Sequence, residues 1–416
     1  MIQFDKFTLK NNLTVIVHQD KSTPLACINI LYDVGARDED ESKTGFAHLF
    51  EHLMFGGSIN IPSFDEPLQL VGGENNAFTT NDITNYYSTV PSENIETAFW
   101  LESDRMLSLA FTEKSLEVQR NVVIEEFKQR YLNQPYGDVW LLLRPLAYKN
   151  HPYKWATIGK EISHIEDATM QDVKSFFKKY YNPANAIMVV AGDVELEQVK
   201  QLCEKWFASI ENTEKPKRNL PVEPKQTEAR RLTVERDVPA NSIYKAYHMC
   251  SRKDPEYHTI DIISDILSRG NSSRLYKTLI KEKQLFTEIS AYVMGDFDKG
   301  LFVISGKTPD HVKMEDAEKG IFEELEKIKN ELVEKDELQK CKNKVESSVT
   351  FSETDILTKA TNLAISELLG DATLINQEIE KYAAVTREEI MQQANLVLDE
   401  NNCNTLYYLA KKNDNI

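Results

Sequence analysis

Residues 45–54 read GFAHLFEHLM, and this stretch predicts the first long helix of the chain. We expect the helix to run from about Thr44 to Met54, because Gly56 and Gly57 follow it and glycine is a common residue at a helix end. The helix is preceded by strand patterns and followed by further strand patterns. The surrounding sequence therefore decides which class of fold it belongs to.

Outward from this helix, the first half of the chain mixes strand and helix patterns. The stretches that predict strands are 13–17, 27–32, two within 74–90, and 185–191. Helical patterns occupy residues 92–134 and 169–181. Residues 212–230 contain three prolines and five Lys or Arg residues, and this composition predicts a linker.

After the linker the same order of patterns returns. The helical segment 259–269 ends at Gly270 as the first helix ends at Gly56, and residues 386–410 repeat the helix and strand of 169–191. We therefore predict an α+β fold of two homologous units in tandem, residues 1–211 and 231–416, each a mostly antiparallel sheet with helices packed on one face. The alternative is that two α+β domains look alike by chance.

The composition excludes several classes of protein. Of the 416 residues, 41% are hydrophobic, which is enough for packed cores and excludes wholesale disorder. No run approaches the roughly 18 apolar residues of a membrane-spanning helix. The net charge of -17 disfavours nucleic acid and anionic membranes as partners, because like charges repel.

Cysteine usage and the first residues bear on the compartment. The five cysteines are scattered and have no CxxC spacing, which is typical of reduced thiols and of neither a disulfide framework nor a cysteine zinc site. Residues 1–6 have no basic or apolar signal region, so the expected location is cytoplasmic. A targeting segment removed from the chain would make it periplasmic or organellar instead.

The first helix carries a candidate metal site. His48 and His52 are separated by four residues, so they lie roughly 40° apart around the helix axis, one turn above the other. Glu51 falls on the same side, where it can bind a water on the ion without being a ligand. Zinc suits two imidazoles and one carboxylate with a fourth position left open. The alternative is an ordinary solvated or half-buried polar face.

A third ligand should be a carboxylate from another element. Residues 122–126 read VVIEE, an apolar run that implies burial and ends in Glu125 and Glu126. Buried carboxylates are rarely left unpaired, and a zinc ion would be a suitable partner. The spacing alone leaves open which Glu is the ligand, and also whether this is a surface helix with ordinary Glu residues.

Three motifs together, HLFEH at 48–52, GGENNA at 72–77 and VIEE at 123–126, resemble the pitrilysin/insulinase family of inverted-motif zinc peptidases. The resemblance is to the shorter two-domain branch that includes the mitochondrial processing peptidase and bacterial homologues, and it covers nearly the whole chain. It implies that His48, His52 and Glu126 bind one zinc ion and that Glu51 is the general base.

The resemblance also implies a substrate-binding strand. The residues that match it, in an exposed edge strand that pairs with the substrate backbone, are Asn76, Ala77 and Phe78. Their alternative role is that of a plain structural strand. Where many relatives carry an accessory Glu seven residues before the third ligand, this chain has Gln119, followed by the usual Arg120.

The second unit has no counterpart of the metal set. The residues that align with His48, Glu51, His52 and Glu126 are Ile262, Asp265, Ile266 and Ser348, so one zinc per chain is expected. Many relatives also carry an Arg and, seven residues later, a Tyr that reach the substrate from this half. Here those positions hold Ile280 and Thr287.

The expected activity is that of a zinc endopeptidase that hydrolyses unfolded peptides or short polypeptides. The family resemblance implies that two such chains form a clamshell chamber around the substrate. We expect a heterodimer with a homologous chain that carries the Arg and Tyr. The alternative is a homodimer in which Arg274 or Tyr276 takes their place. Two other functions stay open: a non-catalytic partner subunit, and a processing peptidase for targeting sequences.

Overall fold

The computed structural model describes residues 1–211 and 214–411, so positions 212 and 213 of the predicted linker lie outside the described residues. Its strands are β1 Asp5–Thr8, β2 Thr14–Gln19, β3 Leu25–Tyr32, β4 Glu74–Thr79, β5 Thr84–Pro91, β6 Ala186–Gly192, β7 Arg230–Arg236, β8 Ser242–His248, β9 Glu288–Met294, β10 Leu301–Lys307 and β11 Cys403–Ala410.

The α-helices surround two sheets built from these strands. They are α1 Phe46–Leu53, α2 Asp65–Leu70, α3 Ile95–Leu107, α4 Glu113–Phe127, α5 Val139–Ala147, α6 Ser163–Glu166, α7 Met170–Tyr180, α8 Leu196–Trp206, α9 Tyr257–Ser268, α10 Met314–Asn330, α11 Lys335–Ser352, α12 Ile356–Leu369, α13 Glu378–Ala384 and α14 Arg387–Val397. In the part of the chain that is described, no helix has the length and apolar character needed to span a membrane.

The first sheet has the strand order β1-β2-β6-β3-β5-β4. Only β2 and β6 run parallel, and the other neighbours are antiparallel. The strand β4 is the outer strand on one side, with Ala77 opposite Tyr86 of β5. The helix α1 packs against β4 and β5. The edge of the sheet therefore lies next to the helix that carries the candidate metal ligands.

The second sheet has the order β7-β11-β8-β10-β9 and repeats the arrangement of the first. Its parallel pair is β7 and β11, which correspond to β2 and β6, and the remaining pairs are antiparallel. The helix α9 packs against β9 as α1 packs against β4. The predicted α+β fold with two homologous, mostly antiparallel units is confirmed.

The compact units differ from the predicted boundaries at 1–211, 212–230 and 231–416. One unit consists of residues 1–128, 155–220 and 349–377, and the other of 129–154, 221–348 and 378–416. The helix α12 thus belongs with the first sheet and α5 with the second. Neither helix lies in the patterns that repeat along the sequence, so the repeat could not assign them.

Burial explains why α12 packs on the first sheet and α5 on the second. Residues 26–32 of β3 are all buried, so this strand needs cover on both of its faces. In the first unit α12 packs against β3 and β6, and Thr361 Oγ1 donates a hydrogen bond to Asn29 Oδ1 at 3.2 Å. In the second unit Val139 and Leu143 of α5 join a core cluster with Val303 and Leu406.

Candidate metal and catalytic site

The start of α1 is fixed by a carboxylate from the loop just before the helix. Gly45 precedes the helix at φ +90°, and a Cβ there would lie 2.7 Å from the Ile158 carbonyl oxygen, so only glycine fits. The buried Glu39 side chain accepts hydrogen bonds from the N–H groups of Gly45 and Ala47, each at 2.8 Å. These N–H groups would otherwise lack a partner at the helix start. Burial raises the pKa of Glu39 to about 8, although these two donors act in the opposite direction.

We expect Glu39→Ala to lower the free energy of unfolding by about 1–3 kcal/mol, because it leaves two buried N–H groups without an acceptor. A carboxyl whose pKa is higher in the folded than in the unfolded chain binds more protons when folded. The contribution of Glu39 to the free energy of unfolding therefore decreases as the pH rises from its unfolded pKa, about 4.3, to its folded pKa, about 8. The loss should therefore be larger at pH 5 than at pH 8. Urea unfolding at both pH values measures it. The exposed Glu41→Ala is the matched control, with a change of no more than about 0.5 kcal/mol.

The two sides of α1 have different surroundings. Its apolar side is buried, and the Phe50 ring stacks on Phe176 and Tyr181 with centroids 5.2 and 4.9 Å away. The Tyr86 hydroxyl of β5 donates to the Phe50 carbonyl at 3.1 Å, which ties the helix to the sheet. This packing holds α1 in place, so the polar side chains on its other side project from a fixed support.

The three predicted ligands come together. The Glu126 Oε2 atom lies 3.3 Å from His52 Nε2 and 3.6 Å from His48 Nε2. In the described ranges 1–211 and 214–411, these three side chains form the only group of His, Cys, Asp and Glu residues that could hold a metal ion, with ligand atoms within 4.8 Å of one another. Their side chains are 12–24% exposed, so water reaches the cluster. Two imidazoles and one carboxylate fit zinc with an open fourth position.

The structure separates the two glutamates that end the VVIEE run. Glu126 faces the two histidines, whereas Glu125 is exposed and pairs with Lys128 at 2.8 Å. The helix α4 packs against α1, which brings only one of the adjacent carboxylates to the cluster. Which of the two carboxylates lies at the cluster thus depends on which side of α4 faces α1.

Glu51 lies beside the cluster and is bonded to the edge strand. Its Oε2 atom accepts a hydrogen bond from Thr79 Oγ1 at 2.6 Å, and Thr79 is the last residue of β4. On the helix, Glu51 is about 60° from His48 on the side away from His52. The carboxylate therefore points toward β4, while the two imidazoles face Glu126 of α4.

The predicted substrate strand is the outer strand β4. Asn76 is exposed, Phe78 is half-buried and Ala77 is buried, as expected of alternating faces. The Ala77 N–H donates to the Asn76 side-chain oxygen at 2.8 Å. Their position at a sheet edge is a fact of the fold, while their contact with a substrate stays a prediction.

The accessory residues both lie about two turns before Glu126 along α4. Arg120 Nη2 donates to the Ala168 carbonyl at 2.5 Å, which is a structural contact. Gln119 lies near the end of α1, since a Cβ on Gly56 would be 3.8 Å from its Nε2 atom. Neither is among the three clustered ligands. Their accessory roles stay predictions.

Two functional contacts were not predicted from the sequence. Glu39 lies in the acidic run 38–41, a pattern typical of a solvated loop, and Thr79 closes a strand rich in polar residues. Neither residue type is distinctive at its position. Only the fold shows that Glu39 bonds to the start of α1 and that Thr79 bonds to Glu51 on the same helix.

Comparison with known proteins identifies the family of the chain. The family model described as insulinase (peptidase family M16) matches residues 14–159, and the model described as peptidase M16 inactive domain matches residues 167–345. The zinc protease PqqE of Helicobacter pylori is 34% identical over 345 residues, which cover 81% of this chain and 77% of that protein. The chain belongs to the insulinase family.

A solved structure and a further relative are also similar to this chain. The crystal structure of a protease from Helicobacter pylori matches with a TM-score of 0.92 at 29% identity, covering 98% of this chain and all (100%) of that one. A probable mitochondrial-processing peptidase subunit beta of Arabidopsis thaliana is 25% identical over 272 residues, 64% of this chain and 50% of that protein. The residues matched by the insulinase family model include His48, His52 and Glu126. The residues matched by the inactive-domain family model end before Ser348.

Proposed function

We propose that this insulinase-family chain is a zinc-dependent endopeptidase that hydrolyses unfolded peptides or short polypeptides. The observation that carries the proposal is the convergence of His48, His52 and Glu126 within 4.8 Å, with the Glu51 carboxylate beside them. A non-catalytic chain would have no need of all four groups. The names of several relatives, zinc proteases among them, support the same reaction class.

In this mechanism the chain's own residues position a water and move a proton. His48, His52 and Glu126 would hold the zinc ion, which when bound supplies Lewis acidity toward water and the scissile carbonyl. Glu51 accepts a proton from the attacking water and delivers it to the leaving amine. Its carboxylate is already held on the side of α1 that faces the edge strand.

The edge strand β4 would bind the substrate by main-chain hydrogen bonds. An extended peptide added beside β4 needs few specific side chains, so it is recognised chiefly by being unfolded. The Asn76 side chain now accepts the Ala77 N–H, and a docked peptide carbonyl would replace it. This predicts cleavage of many unrelated peptides and little cleavage of folded proteins.

The test is digestion of a mixed peptide library by the zinc-loaded chain, with the cuts mapped by mass spectrometry. Cuts at many internal bonds would support an endopeptidase for unfolded peptides. Cuts confined to basic, amphipathic targeting sequences would favour a processing peptidase, the function named in the mitochondrial relatives. No cleavage in any assembly would leave the non-catalytic subunit as the better description.

We further propose that the active form is a heterodimer with a homologous chain. The positions that hold the Arg and Tyr in many relatives carry Ile280 and Thr287, which cannot supply charged or phenolic hydrogen bonds to a substrate carbonyl. Arg274, which with Tyr276 is one of the two possible substitutes in a homodimer, is bonded to Glu337 through two nitrogens at 3.1 and 2.8 Å. Moving it to a substrate would cost that half-buried ion pair.

We expect this chain purified alone to cleave peptides at least about 10-fold more slowly than when mixed with a homologous chain that carries the Arg and Tyr, because the pair orients the substrate. Initial rates on a peptide panel at saturating zinc, with the oligomeric state from light scattering, measure this. The control is Arg274→Lys, which should leave the rate of the mixture unchanged. Full activity from a homogeneous preparation of this chain alone would contradict the heterodimer.

A further inference from the structure

A hydrogen bond joins the edge strand to the proposed base. The Thr79 hydroxyl donates to Glu51 Oε2 at 2.6 Å, a distance typical of a bond to a carboxylate. Thr79 shares a face of β4 with Ala77, the face against which α1 packs. Because threonine is branched at Cβ, its χ1 torsion is restricted and its hydroxyl has a defined direction.

Glu51 needs such a partner if it is to act at one place. A glutamate side chain has three torsions, and the helix backbone fixes none of them directly. A misplacement of about 1 Å in a catalytic group can cost on the order of 100-fold in rate. The neighbouring histidines are held in a common cluster with Glu126, whereas Glu51 is bonded to Thr79 of β4.

We propose that Thr79 is a positioning residue for the general base Glu51. Through this bond it fixes the position of the base relative to the peptide docked on β4. This inference rests on the proposed peptidase function. Oε2 of Glu51 accepts the Thr79 hydroxyl, and Oε1 takes the proton from the water and passes it to the leaving amine. The strand that binds the substrate backbone thus also holds the base. The distance between the base and the substrate backbone is therefore set by β4.

The test compares Thr79→Val, which keeps the branched shape and removes the hydroxyl, with Thr79→Ser, which keeps the hydroxyl. For Thr79→Val we expect kcat to fall about 10- to 100-fold, with KM and zinc content close to those of the unaltered chain. Thr79→Ser should recover kcat to within about 3-fold. The matched control is Thr8→Val, since Thr8 closes the exposed edge strand β1 at the opposite side of the same sheet and should tolerate the change.

A second measurement separates positioning from a merely structural role. In the Glu51→Gln background, the affinity for an extended fluorescent peptide should be the same with Thr79 and with Val at this position. A parallel loss of peptide affinity, loss of zinc, equal damage by Ser and Val, or an unchanged kcat in Thr79→Val would each overturn the positioning role while leaving the peptidase in place. Absence of cleavage by the unaltered chain in every assembly would instead overturn the proposed function, and this inference with it.

Discussion

Glu51→Gln should retain zinc and lose peptide hydrolysis. The amide keeps the length of the side chain, and its oxygen can still accept the Thr79 hydroxyl that now lies 2.6 Å from Glu51. It cannot accept a proton from water, and loss of a general base costs about 10²–10⁴-fold or more in rate. The measurement is kcat on a fluorogenic peptide, with zinc content determined on the same sample.

Glu125→Gln is the matched control for this substitution. Glu125 carries the same carboxylate on α4, next to the proposed ligand, but it is exposed and pairs with Lys128 at 2.8 Å. We expect its kcat to stay within about 2-fold of the unaltered chain, as for a surface substitution. Near-normal turnover in zinc-replete Glu51→Gln protein would show that another residue is the base.

The fold and the pairing of the two histidines were predictable because both follow from short-range patterns, whereas Glu126 was assigned only by the family resemblance. The spacing of His48 and His52 places two imidazoles on one side of any α-helix, whatever surrounds that helix. The repeated order of strands and helices likewise predicted two similar units, and the order of the two sheets confirms it. Such inferences need only periodicity and register.

What could not be predicted depends on side-chain contacts and packing that no periodic pattern in the sequence specifies. The bond from Glu39 to the start of α1 and the bond from Thr79 to Glu51 join residues whose types are common in loops and strands. The placement of α5 and α12 depends on which sheet each helix packs against, and the repeated sequence pattern does not include either helix. Each of these contacts became visible only with the packed sheets.

The second unit shows what takes the place of a metal ion when its ligands are absent. Asp265 and Ser348 align with Glu51 and Glu126, and the Arg269 guanidinium bonds to both, at 3.0 Å to Asp265 and 3.2 Å to Ser348 Oγ. Arginine keeps its charge at any ordinary pH. A fixed cation of the protein therefore joins α9 to α11, where the first unit has a cluster suited to a metal cation between α1 and α4. Ile262 and Ile266, at the positions of the two histidines, are fully buried.

The chain should therefore bind one zinc ion, in the first unit only. We expect Glu126→Ala to lower zinc affinity at least about 100-fold, because it removes one of three ligands. Loss of a residue that only hydrogen-bonds to a ligand costs about 10- to 100-fold, so loss of a ligand itself should cost more. Glu125→Ala and Asp265→Ala are the matched controls, one beside the ligand and one at the corresponding place in the second unit, and both should keep one equivalent. Elemental analysis after dialysis against a graded chelator measures all three. Two equivalents in the unaltered chain, or one that survives His48→Ala, would contradict the assignment.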